Sequence, residues 1–101
     1  MSVAWTLAAT EDRQRFLDAA FERAMEKEDP SIYRAALEAD TNTKQEALAL
    51  DGVATWREGP LEGTRLYVCR GAPYLLIYTR DGDDVQIIWV APTASNWKPS
   101  I

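Results

Sequence analysis

The chain has no histidine and a single cysteine in 101 residues. Without histidine, Ser-His-Asp and Cys-His catalysis and most zinc sites are excluded, because those chemistries use an imidazole to move a proton or to hold the metal. The lone Cys69 cannot close an internal disulfide, so the expected compartment is reducing, the cytoplasm. No apolar run approaches the ~18–20 residues of a membrane span. The opening MSVAWTLAAT lacks the basic start and long apolar core of a secretory signal. Gly59, Gly63 and Gly71 do not match a phosphate-cradling loop. Positive charge is scarce: 11 Lys and Arg stand against 16 Asp and Glu, a net charge of −5. General or sequence-specific nucleic-acid binding is therefore not expected, since phosphate contacts need clustered bases.

What is present is a globular composition, 47% hydrophobic. Residues 1–101 are expected to form one domain with its own core and no metal or cofactor to staple it. Val3 to Ala8 reads as a short strand carrying Trp5 and Thr6. Thr10 is a candidate N-cap with Glu11 and Asp12 in the first turn. Phe16, Leu17, Ala20, Phe21, Ala24 and Met25 then recur at helical spacing and form a stripe expected to face the core. Asp29-Pro30 restarts a helix, aspartate as cap and proline at the first position, where its missing N–H costs nothing. Ile32, Tyr33, Ala36 and Leu37 continue an apolar stripe. Thr41-Asn42-Thr43 interrupts it, and Thr43 with Glu46 has capping-box spacing, so a break with resumption through Leu50 is expected. The very short link between the helices predicts an antiparallel hairpin.

Gly52 is the expected stop, and residues 51–63 read as the longest connector. Three strands follow: Thr64 to Cys69, Tyr74 to Arg80 and Val85 to Ala91. The turns between them are Gly71-Ala72-Pro73 and Asp81-Gly82, and Pro92 closes the last strand. The near-continuous apolarity of the last strand predicts burial on both faces. The fold class is therefore α+β: N-terminal strand, helical hairpin, then a three-stranded antiparallel meander, β-α-α-β-β-β. The hairpin is expected to cover one sheet face and leave the other partly open.

Few residue sets carry chemistry. Asp81, Asp83 and Asp84 suit a solvated turn, with a weak calcium site as the alternative. Cys69 is expected to be buried in its strand, although Arg70 beside it is the kind of neighbour that lowers a thiol pKa. Arg65, Arg70 and Arg80 form a locally positive strip, since no acid falls between Gly63 and Arg80. That strip either guards a strand edge by charge or, with Tyr74 and Tyr78, grips a protein or an RNA.

From Gly63 onward the chain resembles the RelE/ParE superfamily of toxins from type II bacterial toxin–antitoxin pairs. The likeness rests on Gly63-Thr64-Arg65-Leu66, Arg70-Gly71-Ala72-Pro73-Tyr74, Ile77-Tyr78, Asp81-Gly82-Asp83 and Ile87-Ile88-Trp89-Val90. The Trp5-Thr6 strand and the hairpin with its Asp-Pro restart fit the same layout. The resemblance implies one of two activities. RelE-like members cut mRNA on the ribosome with basic residues and a tyrosine, a role that would fall here to Arg65, Arg70, Tyr78 and Arg80. ParE-like members inhibit DNA gyrase by binding and are not enzymes. Where the nuclease branch has lysines, this chain has Leu66 and Val68. Leu75 replaces an arginine, and Pro92, Thr93 and Ser95 replace the basic residues after the last strand. Cations that would stabilise charge at a phosphate are missing, and an acidic chain is repelled by the polyanionic ribosome. The resemblance thus implies the ParE branch, although the His and Arg often found there after the last strand are also absent.

It further implies Arg70, Arg80, Trp97 and Lys98, with Tyr78 supporting, as gyrase-binding residues. Leu17, Phe21 and Tyr33 become contacts for a cognate antitoxin that folds on binding. A non-toxic interaction domain on the same fold is the remaining alternative.

Overall fold

The computed structural model describes residues 2–52 and 56–93. The order is β1 (Ser2–Trp5), α1 (Leu7–Lys27), α2 (Pro30–Leu48), a 3₁₀ turn (Leu50–Gly52), β2 (Arg57–Glu58), β3 (Arg65–Val68), β4 (Tyr74–Asp81) and β5 (Asp84–Pro92). The strands form one mixed sheet in the order β1-β5-β4-β3-β2, with β1 parallel to β5 and the other pairs antiparallel. The expected α+β plan is what forms. Its addition is β2, two residues inside the stretch read as connector, which pair with Arg65 and Leu66.

Two helix boundaries differ from expectation. Thr6, not Thr10, caps α1: its hydroxyl accepts from the Ala9 N–H at 3.1 Å and donates to the Ile88 carbonyl at 2.8 Å. One hydroxyl thus starts the helix and ties it to β5, which ends β1 at Trp5 and makes Leu7 and Ala8 helical. Asp29 caps α2 as expected, accepting from the Ser31 N–H at 3.0 Å. However, α2 runs through Thr41-Asn42-Thr43 without a break. The Thr41 and Thr43 hydroxyls donate back to the Leu37 and Ala39 carbonyls at 3.1 and 2.8 Å, so they compete for no backbone donor and leave the helical ladder intact.

Register fixes what each sheet face carries. Side chains alternate along a strand, and directly paired residues share a face. Val3 and Trp5 of β1, Val85 and Ile87 of β5, Tyr74, Leu76 and Tyr78 of β4 and Tyr67 of β3 therefore point to the helices. They pack there against Ala9 and Phe16 of α1, Ala47 of α2 and Leu50. Phe16 and Tyr74 stack with ring centroids 4.8 Å apart. The register of β4 on β5 steps from Tyr78↔Ile87 to Ile77↔Trp89, which leaves Ile88 as a bulged extra residue. The bulge keeps Val90 on the helix side. Contrary to the expectation for this strand, β5 is not buried throughout: Gln86 is exposed and Ile88, Trp89 and Ala91 are half-buried.

Candidate interaction surfaces

The outer sheet face, opposite the helices, carries Ala4, Gln86, Trp89, Ala91, Leu75, Ile77, Thr79, Leu66 and Val68 by the same alternation. Arg57, paired with Leu66 on β2, is the one arginine that this register puts on that face. Among the described residues this face is aliphatic and aromatic with one edge cation, and its centre is closed where an open face was expected: Leu75 is 3% and Ile77 1% exposed.

The other arginines lie elsewhere. Arg65 and Arg80 share the Tyr78 side of the sheet. Tyr78 itself is in the core, 1% exposed, because its strand turns that face towards the helices. A tyrosine so enclosed cannot present its ring to a partner or a transcript. Burial pushes its hydroxyl pKa up; the charge and hydrogen bond of Arg65 and the charge of Arg80 only partly offset this, so it is a neutral phenol and no base. The Arg65 guanidinium also lies 3.6 Å over the Trp56 ring. The Arg80 Nε donates to the Gly82 carbonyl at 2.9 Å across the Asp81-Gly82 turn, where Gly82 supplies the φ of 61° that the tight hairpin requires.

Arg70 is exposed on a turn that α2 holds rigid. Glu46 accepts from the Arg70 N–H and the Tyr67 hydroxyl, both at 2.7 Å, and from the Gly71 N–H at 2.9 Å. Asn42 donates to the Gly71 carbonyl at 2.8 Å, close enough that a Cβ on residue 71 would meet Asn42 atoms at 3.1–3.3 Å. Glu46, expected as a capping-box partner, is instead the clamp of the β3–β4 turn. Burial works against its charge, but the three hydrogen bonds and the nearby Arg70 outweigh it and hold the carboxyl below the usual glutamate range.

The helical stripe divides in two. Ala20 and Ala24 are buried as expected, whereas Phe21 is 50% and Met25 66% exposed. Phe21 meets Tyr33 edge-to-face with centroids 5.5 Å apart. Phe21, Ala24 and Met25 line a hollow of ≈ 450 Å³ at the hairpin tip, closed by Glu28, Asp29 and Pro30. Leu17 and Tyr33 are half-buried. The structure therefore joins Phe21 to Tyr33 directly. Trp97 and Lys98 lie outside the described residues. Trp56 is the surface residue that sequence reasoning missed. Its signal was a tryptophan beside Arg57 in a connector rich in glycine and proline.

No protein-family model matches the chain, and no curated protein matches it. Among solved structures, it is similar to a chain of one described as "Chromosomal ParDE TA system from P. aeruginosa". The TM-score is 0.66 at 23% identity, over 91% of this chain and 95% of that one. Shared over nearly the full length of both chains, the fold of this protein is that of a ParDE-system component.

Proposed function

We propose that this chain is the toxin of a type II toxin–antitoxin pair, of the ParE kind. It acts by binding DNA gyrase and performs no covalent chemistry. Its partner is a cognate antitoxin, and it works in the cytoplasm. The fold likeness to a ParDE-system chain supports the general assignment. The observation that favours binding over RNA cleavage is the outer sheet face, where Leu66, Val68, Trp89 and the buried Leu75 and Ile77 leave Arg57 as the one cation among the described residues. With Tyr78 enclosed and no histidine in the sequence, neither that tyrosine nor an imidazole can serve there as a base. Arg70 and Arg80 are the described target contacts, together with Trp97 and Lys98. The antitoxin covers Leu17, Phe21 and Tyr33 on the hairpin, where Phe21 and the nearby Met25 are left exposed.

The test is supercoiling of relaxed plasmid by purified gyrase, titrated with this protein and then with antitoxin. Supercoiling should be lost and then restored. Undiminished supercoiling at a large molar excess of the protein would refute the assignment.

A further inference from the structure

The β2–β3 edge holds a groove of ≈ 350 Å³ lined by Trp56, Arg57, Leu66, Tyr67, Val68 and Arg70. Its floor is apolar and stays open: Trp56 is 51% and Val68 42% exposed. Both ends of the lining are cationic. Two of its parts are also held before anything binds. Trp56 is packed under the Arg65 guanidinium, and Glu46 locks the backbone at Arg70 and Gly71. An indole held under a guanidinium loses little freedom on binding, and tryptophan and arginine are the residues that dominate protein interfaces.

The charge of the groove selects its occupant. On a chain of net charge −5, Arg57 and Arg70 line this apolar floor and Arg65 lies over its Trp56. A second copy presenting the same edge would set arginine against arginine. A nucleic acid would find three cations on a surface that otherwise repels phosphate. The net charge of −5 opposes a carboxylate-bearing peptide as well, but such a peptide also brings an apolar side chain for the floor between the arginines, which a phosphate backbone lacks. The groove shares no lining residue with the hollow at the hairpin tip assigned to the antitoxin, so the two surfaces can serve different partners.

From this geometry we infer that the groove binds an extended acidic segment of the target protein. An apolar side chain of that segment seats between Trp56 and Val68, and its carboxylates pair with Arg57 and Arg70. This rests on the reading that the chain acts by occupying a target. It adds Trp56 and Arg57 to the contact residues and gives the target segment its charge.

The experiment measures binding of the full chain to immobilised gyrase. The variants are Arg57→Glu/Arg70→Glu, Trp56→Ala and the net-charge control Arg34→Glu/Lys44→Glu, with circular dichroism melts confirming the fold. The groove reversal should weaken binding by about 30-fold or more and Trp56→Ala by about tenfold, with the control within about threefold of the parent. Should the reversal unfold the chain, Arg57→Gln/Arg70→Gln keeps the aliphatic stems and should still give about a tenfold loss. Parent-like binding by the groove variants, or equal weakening by the control, overturns the inference. So does binding of a short duplex DNA alone with the same arginine dependence. Failure of the parent chain to bind gyrase is a different result: it removes the proposed function first, and the inference with it.

Discussion

The Asp12 carboxylate on α1 accepts a hydrogen bond from the Val90 N–H on β5, 3.1 Å away and 78 positions along the chain. The β1–β5 ladder stops at Trp5↔Ile87, and the Ile88 bulge follows. Beyond that point the edge of β5 is satisfied by helix side chains: Thr6 takes the Ile88 carbonyl and Asp12 the Val90 amide. The start of α1 thus replaces the missing length of β1. Asp12→Ala should destabilise the fold by about 1–3 kcal/mol, since it leaves a part-buried donor without its charged acceptor. Asp12→Asn, which keeps an oxygen there, should cost less. Urea denaturation of both variants measures the difference.

Glu46 should make the fold acid-sensitive. Its folded pKa is depressed, so its contribution is fully present above the unfolded glutamate value, about 4.3, and is lost as pH falls through the lower folded value. Stability measured from pH 6 down to pH 3 should fall less steeply in Glu46→Gln than in the parent, and the two curves should converge at the acid end. Parallel curves would mean that the clamp carries no linkage.

Cys69 should be inert in the folded protein. Burial first, then the Glu46 charge, pushes its thiol up to about 12, although the Thr43 hydroxyl partly opposes this. At pH 8 a thiol reagent should react roughly a thousandfold more slowly with native chain than with chain unfolded in urea, in line with the thiolate fractions. The raised value also means that its stabilising share is intact below about pH 8.5, the unfolded value, and declines as pH rises towards 12. Alkaline melts of Cys69→Ala beside the parent would show that decline absent in the variant.

Phe21→Glu separates folding from partner binding at the hairpin tip. Half of Phe21 is already exposed, so the cost should be limited to its edge contact with Tyr33, about 1 kcal/mol. A charge in the middle of an apolar docking surface should cost the antitoxin at least about tenfold in affinity. Calorimetric titration with antitoxin, next to a thermal melt, reads both. Unchanged affinity would move the antitoxin off this face.

Much of the architecture was readable from local chemistry. Asp29-Pro30 states a helix start through a cap and a preset φ, and Asp81-Gly82 states a hairpin through the residue that adopts positive φ most readily. What escaped depended on tertiary partners. Thr10 and Thr6 are equivalent caps until the Ile88 carbonyl chooses Thr6. Thr41 and Thr43 read as breakers until their hydroxyls turn back on α2. The Ile88 bulge has no local signature. The side chosen by Tyr78 was also hidden, because Leu75 and Ile77 make the opposite face of β4 equally apolar, and period-two alternation then cannot say which face meets the helices. On the hairpin the 3.6-residue stripe was real, but it is broader than the face that packs: Ala20 and Ala24 are buried, and Phe21 and Met25 beside them are in solvent.

The central claim is that harm comes from occupying a protein and not from cutting RNA. It is tested most directly in one coupled transcription–translation extract charged with relaxed plasmid, with plasmid topology and transcript length read from the same samples. The account predicts that added protein keeps the plasmid relaxed while transcripts stay full length. Shortened transcripts on a normally supercoiled plasmid would contradict it.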